Sequence, residues 1–200
     1  YLATRASAKA KTILVALIII PFWTSFLIRT YAWVTILSSR GIPAILENLG
    51  LVKDLVLLNT PFSISLGIVY NYLPLMTLPL YVSLERLDKR LLEASKDLGA
   101  NRWGTFWQIT FPLSAPGLIT GSMLVFILLM GEYLIPALLG GGKIFFVGNA
   151  LVDLFLQSRN WPFGSAVAMG LNFIMLIIIS VYLWLTSRFG GENREDISLL

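Results

Sequence analysis

Arg29 and Glu132 are ionisable side chains set inside long apolar runs. An ionised group at bilayer depth costs about 2.5–3.5 kcal/mol on insertion scales, so it faces a partner or a water path. Arg29 lies roughly eight residues before the outer end of its run and Glu132 about four to seven before the outer end of its own. At about 1.5 Å per residue these depths nearly match. Two readings follow: the pair holds two helices together, or Glu132 faces a pathway and attracts a cation while Arg29 sets its orientation or closes a gate. Asn71 and Tyr72 stand beside Pro74 and Pro79, and each proline removes a helix hydrogen bond, so a kinked and wetted helix is expected there. This polar pair is either ordinary membrane-helix irregularity or a direct solute contact. Tyr31, Trp33 and Trp161 can stack on an ammonium group or form an aromatic belt at the outer interface.

Other chemistry is closed to the chain. It contains no Cys and no His, which removes thiol nucleophiles, imidazole bases, disulfides and the usual zinc ligands. No base or metal set accompanies any Ser in an apolar run, so no catalytic residue and no metal ligand is assigned. Gly140-Gly141-Gly142-Lys143 fails as a phosphate loop, because Ala137 stands where the first glycine is required and Ile144 follows the lysine.

The elements that must position these residues are membrane helices. With 56% hydrophobic and 13% charged residues and a mean hydropathy of +0.78, the bilayer is the main solvent. A span needs about 20 apolar residues, and four runs qualify, over about 13–37, 64–84, 114–136 and 166–187. The expected fold is therefore an all-α polytopic transmembrane bundle. The net charge of +4 comes from Lys and Arg clustered at the ends of these runs rather than along a polar face, which fits membrane topology and not nucleic acid. Ten such residues fall in 1–12, in 85–112 and in the tail (Arg5, Lys9, Lys11; Arg86, Lys89, Arg90, Lys96, Arg102; Arg188, Arg194), against four in the other two loops (Arg40, Lys53, Lys143, Arg159). Positively charged loops stay inside, so both ends of the chain and the 85–112 loop are expected in the cytoplasm. The chain opens at Tyr1 in what looks like a helix end entering a basic loop, and it reads as lacking preceding sequence. No cleavable signal peptide is evident.

The 85–112 loop is expected to be helical. Leu84, Leu87, Leu91, Ala94 and Leu98 recur at three- and four-residue spacing, which makes an apolar stripe. Glu85 with Lys89, and Lys89 with Glu93, support the solvated face by a few tenths of a kcal/mol per pair. Gly99 can take the left-handed conformation that ends a helix, Trp103, Phe106 and Trp107 give a second short apolar face, and Pro112 starts the next span. Two short helices joined at Gly99 would project as an L that a soluble partner can grip.

The joint spacing of Glu93-Ala94-Ser95-Lys96-Asp97-Leu98-Gly99 with Ile109 and Pro112 resembles the cytoplasmic motif by which permease subunits of binding-protein-dependent ABC importers engage their ATPase. Ser95 departs from a second Ala and Phe111 from the usual Leu; both keep size or apolarity. Pro21-Phe22-Trp23-Thr24-Ser25 with Arg29-Thr30-Tyr31-Ala32-Trp33, and Gly131-Glu132-Tyr133-Leu134-Ile135-Pro136 with Leu138-Leu139-Gly140-Gly141-Gly142, are similar to the spermidine/putrescine-type permeases over nearly the whole chain. The resemblance implies an all-helical importer subunit of the MetI-like kind in a bacterial inner membrane, usually with six spans, the first and most of the second preceding Tyr1. It implies a second, different permease, two ATPase subunits and an external binding protein as partners, with ATP hydrolysed by the partner and no cofactor held here. Asp153, in the outer loop between the third and fourth spans, is then either a meeting place for an incoming polyamine or a solvated loop charge. Gly117 with Gly121 and Ala166 with Gly170 are small-residue pairs that let helices approach closely. A self-contained secondary carrier should show inverted repeats and paired midplane charges, and neither is found.

Overall fold

The computed structural model describes residues 8–190, without the side chains of Ala8, Lys89 and 185–190. Arg5 and Arg194 lie outside the described residues, as do the side chains of Lys89 and Arg188 and hence the two ion pairs expected of Lys89. All described secondary structure is helical, and it falls into two units that divide between Phe146 and Val147.

In the first unit the apolar run 13–37 is not one straight helix. It forms α1 (Ala8–Phe22) and α2 (Phe26–Leu37), and the segments Lys9–Phe22 and Phe26–Asn48 meet at 92°. Pro21 sits in the last turn of α1, the Trp23 N–H bonds Ile20 O at 3.1 Å, the Thr24 N–H bonds Pro21 O at 3.2 Å, and Ser25 turns extended at ψ 132. That tight turn re-aims the chain, and a third helix, α3 (Ile42–Asn48), follows with Pro43 in its first turn.

The 25-residue α4 (Pro61–Glu85) starts on a reciprocal cap, with the Ser63 N–H bonding Thr60 Oγ1 at 3.3 Å and the Thr60 N–H bonding Ser63 Oγ at 3.2 Å. It continues as one helix through Pro74 and Pro79. After α5 (Lys89–Asp97), the helix α6 (Arg102–Thr105) passes through a π turn at Phe106–Thr110 into α7 (Phe111–Met130). The π turn carries the Phe111 N–H to Phe106 O, and this wider loop takes up the missing donor and the bulky ring of Pro112 without ending the helix. The second short helix expected before Pro112 is thus continuous with the helix after it. α7 packs on α4 through small residues: a Cβ at Gly117 would stand 2.6 Å from Pro79 O, and one at Gly121 would stand 3.1 Å from Met76 O. After a break at Gly131, the six-residue α8 (Leu134–Leu139) seats Ile135 and Leu139, both fully buried, beside Ile64 and Tyr72 of α4.

The second unit holds α9 (Val147–Val152), a π turn at Asp153–Gln157, and α10 (Trp161–Gly190). The Phe155 ring lies against Gly164, where a Cβ would meet it at 3.1 Å, and meets Trp161 edge-on at 6.5 Å. By length and apolarity Pro61–Glu85, Arg102–Met130 and Trp161–Trp184 can each cross a membrane, and the bent pair of segments adds up to one more span.

Candidate functional site

Polar side chains gather where α2, α4 and α8 meet. Glu132 stands in the break before α8 and is 7% exposed. Its Oε1 accepts the backbone N–H groups of Leu134 at 2.8 Å and Ile135 at 3.0 Å, and its Oε2 accepts the Tyr72 hydroxyl. Three donors therefore converge on one carboxylate, which meets the cost of burying it.

One helical step away, Asn71 donates to Gly67 O at 3.0 Å and to Thr30 Oγ1 at 3.5 Å, while Thr30 donates to Phe26 O at 2.9 Å. Arg29 is buried with its guanidinium over the Phe22 ring at 5.3 Å, and its Nε and the Asn71 Oδ1 are buried without a hydrogen-bond partner. Arg29 and Glu132 do not pair: among the described residues the ion pair within 4.0 Å is Lys11 with Glu85, at 3.1 Å. Depth alone put Arg29 and Glu132 opposite each other, but the register of α4 brings the Tyr72 hydroxyl to the carboxylate instead. An open, mainly apolar groove of about 530 Å³ runs beside Tyr72, lined by Ile68, Met76, Ser122, Phe126 and Leu129.

The remaining sequence candidates are dispersed. Tyr31 is exposed, whereas Trp33 packs edge-on against Tyr70 with ring centroids 5.3 Å apart. Asp153 opens a π turn rather than a loop and accepts a 2.7 Å bond from Gln157 Nε2. It belongs to the second unit with Trp161. Two residues that sequence reasoning passed over are Thr30 and Ser63. Thr30 carries no signal that separates it from any membrane-helix threonine, while Ser63 was visible as the third residue after Thr60 at the start of an apolar run.

At the other end of α4, Asp88 Oδ1 accepts the Arg90 N–H at 2.9 Å and opens α5. The helix closes with the Gly99 N–H bonding Lys96 O at 2.8 Å and the Ala100 N–H bonding Ser95 O at 3.0 Å, a Schellman end that requires the left-handed residue supplied by Gly99 at φ +81. The expected apolar stripe divides: Leu87 is half-buried, Leu91 is 44% exposed and Leu98 is 88% exposed. Glu93, Ala94 and Asp97 are exposed, and Ser95 is buried, sharing a 2.8 Å hydrogen bond with Thr105 Oγ1 that ties α5 to α6. Ile109 lies in the π turn and Pro112 in the first turn of α7. A groove of about 740 Å³ opens beside Arg86, Asp88, Leu91, Leu113 and Pro116.

The family model for the binding-protein-dependent transport system inner membrane component matches residues 1–189. The spermidine/putrescine transport system permease protein PotB of Haemophilus influenzae is 43% identical over 184 residues, which covers 91% of this chain and 64% of that protein. PotB of Escherichia coli K12 is 42% identical over 189 residues, covering 94% and 68%. The chain thus spans about two thirds of the length of these curated relatives. Among solved structures, a bacterial ABC transporter involved in the import of the acidic polysaccharide alginate superposes with a TM-score of 0.70 over 94% of this chain and 69% of its own, at 18% identity, a likeness of fold.

Proposed function

The chain belongs to the family of binding-protein-dependent transport system inner membrane components, and on that premise we propose that it is a permease subunit of an ATP-driven ABC importer of polyamines, spermidine and putrescine. The observation that carries the substrate class is the 43% identity to a spermidine/putrescine permease protein over 91% of the chain. Its partners are two ATPase subunits, a second permease and an external binding protein. Both ends of the chain and the 85–112 segment face the cytoplasm.

Coupling runs through α5, Gly99 and α6. Glu93, Ala94, Asp97 and Leu98 offer an exposed surface to the ATPase, and Ser95 holds α5 against α6. One end of this hairpin continues into α4 after Glu85, and the other runs through Ile109 and Pro112 into α7. Closure of the ATPase pair therefore pulls on two helices already packed together at Gly117 and Gly121. Within the first unit the polar cluster of Arg29, Asn71, Tyr72 and Glu132 borders the translocation path, with Tyr31 and Trp33 as further candidates; Asp153, in the second unit, is a separate candidate for meeting the solute.

The test of the substrate class is uptake of labelled spermidine and putrescine by cells that lack polyamine import and express this chain with its genomic neighbours. Saturable uptake that unlabelled polyamine competes away is expected. ATP hydrolysis by the assembled complex without polyamine entry would retain the permease and refute the substrate.

A further inference from the structure

We infer that Glu132 acts as a positioning residue, clasping α8 to α4 so that the two move as one body, and that its charge is not the attraction for the cation. The clasp rests on the permease reading above, and the exclusion of charge attraction rests also on its polyamine substrate.

Glu132 and the segment after it are joined to α4 at both ends of α8. At the N-terminal end, the carboxylate bonds the Leu134 and Ile135 N–H groups through Oε1 and the Tyr72 hydroxyl through Oε2. No side chain of the Tyr133 cap position bonds these amides. At the C-terminal end, Leu139 O accepts the Ser63 hydroxyl at 2.8 Å and the Asn59 N–H at 2.9 Å. Between these ties the helices touch with no space for a side chain: a Cβ at Gly67 of α4 would meet Leu139 Cδ1 and, at 3.1 Å, Ile135 Cγ2. On the α7 side a Cβ at Gly131 would meet nothing within 4 Å. α8 is therefore tied to α4 at both ends and along its length, although it follows α7 in the chain. It also packs on α2, while Val125 and Leu129 of α7 lie against the same buried cluster.

Three of the roughly four acceptor positions of the carboxylate are already taken, which leaves little for an ammonium group. From Tyr72 to the α5 junction, α4 runs about 20 Å without a break. A displacement of α5 is thus delivered to α8 by a single helix, through the Glu132–Tyr72 clasp at one end of α8 and the Ser63–Leu139 tie at the other.

The test uses the assembled transporter. Tyr72→Phe deletes the hydroxyl and keeps the ring; Glu132→Gln keeps an acceptor for both amides and a polar atom for Tyr72 but removes the charge; Glu132→Ala deletes the clasp. Transport per ATP hydrolysed is expected to fall about tenfold or more in Tyr72→Phe and Glu132→Ala, the scale set by losing a hydrogen bond to a charged acceptor. In Glu132→Gln it is expected to recover to within a few-fold of the parent. Loss in Glu132→Gln equal to that in Glu132→Ala would overturn the inference in favour of charge, and parental coupling in Tyr72→Phe would overturn the clasp. A second readout does not depend on the solute. The given chain has no Cys, so with any Cys elsewhere in the assembly replaced, spin labels at exposed Val69 and Ala137 report the α4–α8 distance. It is expected to stay single and constant with and without ATP in the parent and to broaden in Tyr72→Phe; a distance that changes with ATP in the parent refutes the rigid body.

Discussion

Replacing Gly99 by Ala isolates the conformational part of coupling. Gly99 has φ +81, and a Cβ built there meets nothing within 4 Å, so the substitution introduces backbone strain and no clash. A left-handed non-glycine residue costs about 1–2 kcal/mol, which is a factor of roughly 5–30 in the population of the capped α5 end. Gly50 provides the matched control, with φ +70 and equally open surroundings, but placed after α3 and away from the 85–112 segment. Both Ala variants should lower thermal stability by similar amounts in detergent. Only Gly99→Ala should reduce ATP-dependent uptake, by about fivefold or more, and Gly99→Asn should recover part of it because Asn tolerates the left-handed region. Equal loss of uptake in Gly50→Ala would show that strain acts through global stability and would refute a local coupling role for Gly99.

Other outcomes follow from the packing. Gly117→Val is expected to destabilise the α4–α7 pair by about 1–3 kcal/mol, since the added atoms press on the Pro79 carbonyl and Leu80 Cα; melting curves check it, with Gly170→Ala, which meets nothing within 4 Å, as the silent comparison. Ser95→Ala removes the hydrogen bond to Thr105 at a cost of about 1 kcal/mol, and Ser95→Thr should retain it, read as protease resistance of the 85–112 segment. Thr60→Ala breaks the reciprocal cap of α4 and should lower stability by about 0.5–2 kcal/mol. Amide exchange should then rise first at Ser63 and its neighbours.

Hydropathy finds apolar helices at α4, α7 and α10 because a span must be apolar for its whole length, whatever it packs against. The expected run 114–136, however, extends past the end of α7 at Met130, through the break that holds Glu132, into α8. Hydropathy is also blind to the 92° bend after Phe22, since Trp23 keeps the window apolar while Thr24 and Ser25 supply the turn. The α5 end was legible for a different reason: a helix followed by Gly is a local signal, and its bonds reach no further than Ser95 to Ala100. The π turn at Phe106–Thr110 was not, because a proline near a helix start predicts a boundary as readily as a widened turn. In the polar cluster, Arg29, Asn71, Tyr72 and Glu132 were found by being polar where burial is costly. Their partners were not, because which hydroxyl reaches Glu132 depends on the rotation of α4 about its axis, and two residues at equal depth can face different neighbours.

On the proposed reading, ATP hydrolysis by a partner reaches this permease through the Glu93–Gly99 segment. The most direct test is ATP-driven uptake by the complex reconstituted in vesicles, compared between the parent and Glu93→Lys, with ATPase association measured on the same preparations. Glu93→Lys is expected to retain the membrane fold, since Glu93 is exposed, but to lose ATPase association and uptake together. Uptake and association at the parental level in Glu93→Lys, or a parent that binds no ATPase at all, would contradict that reading.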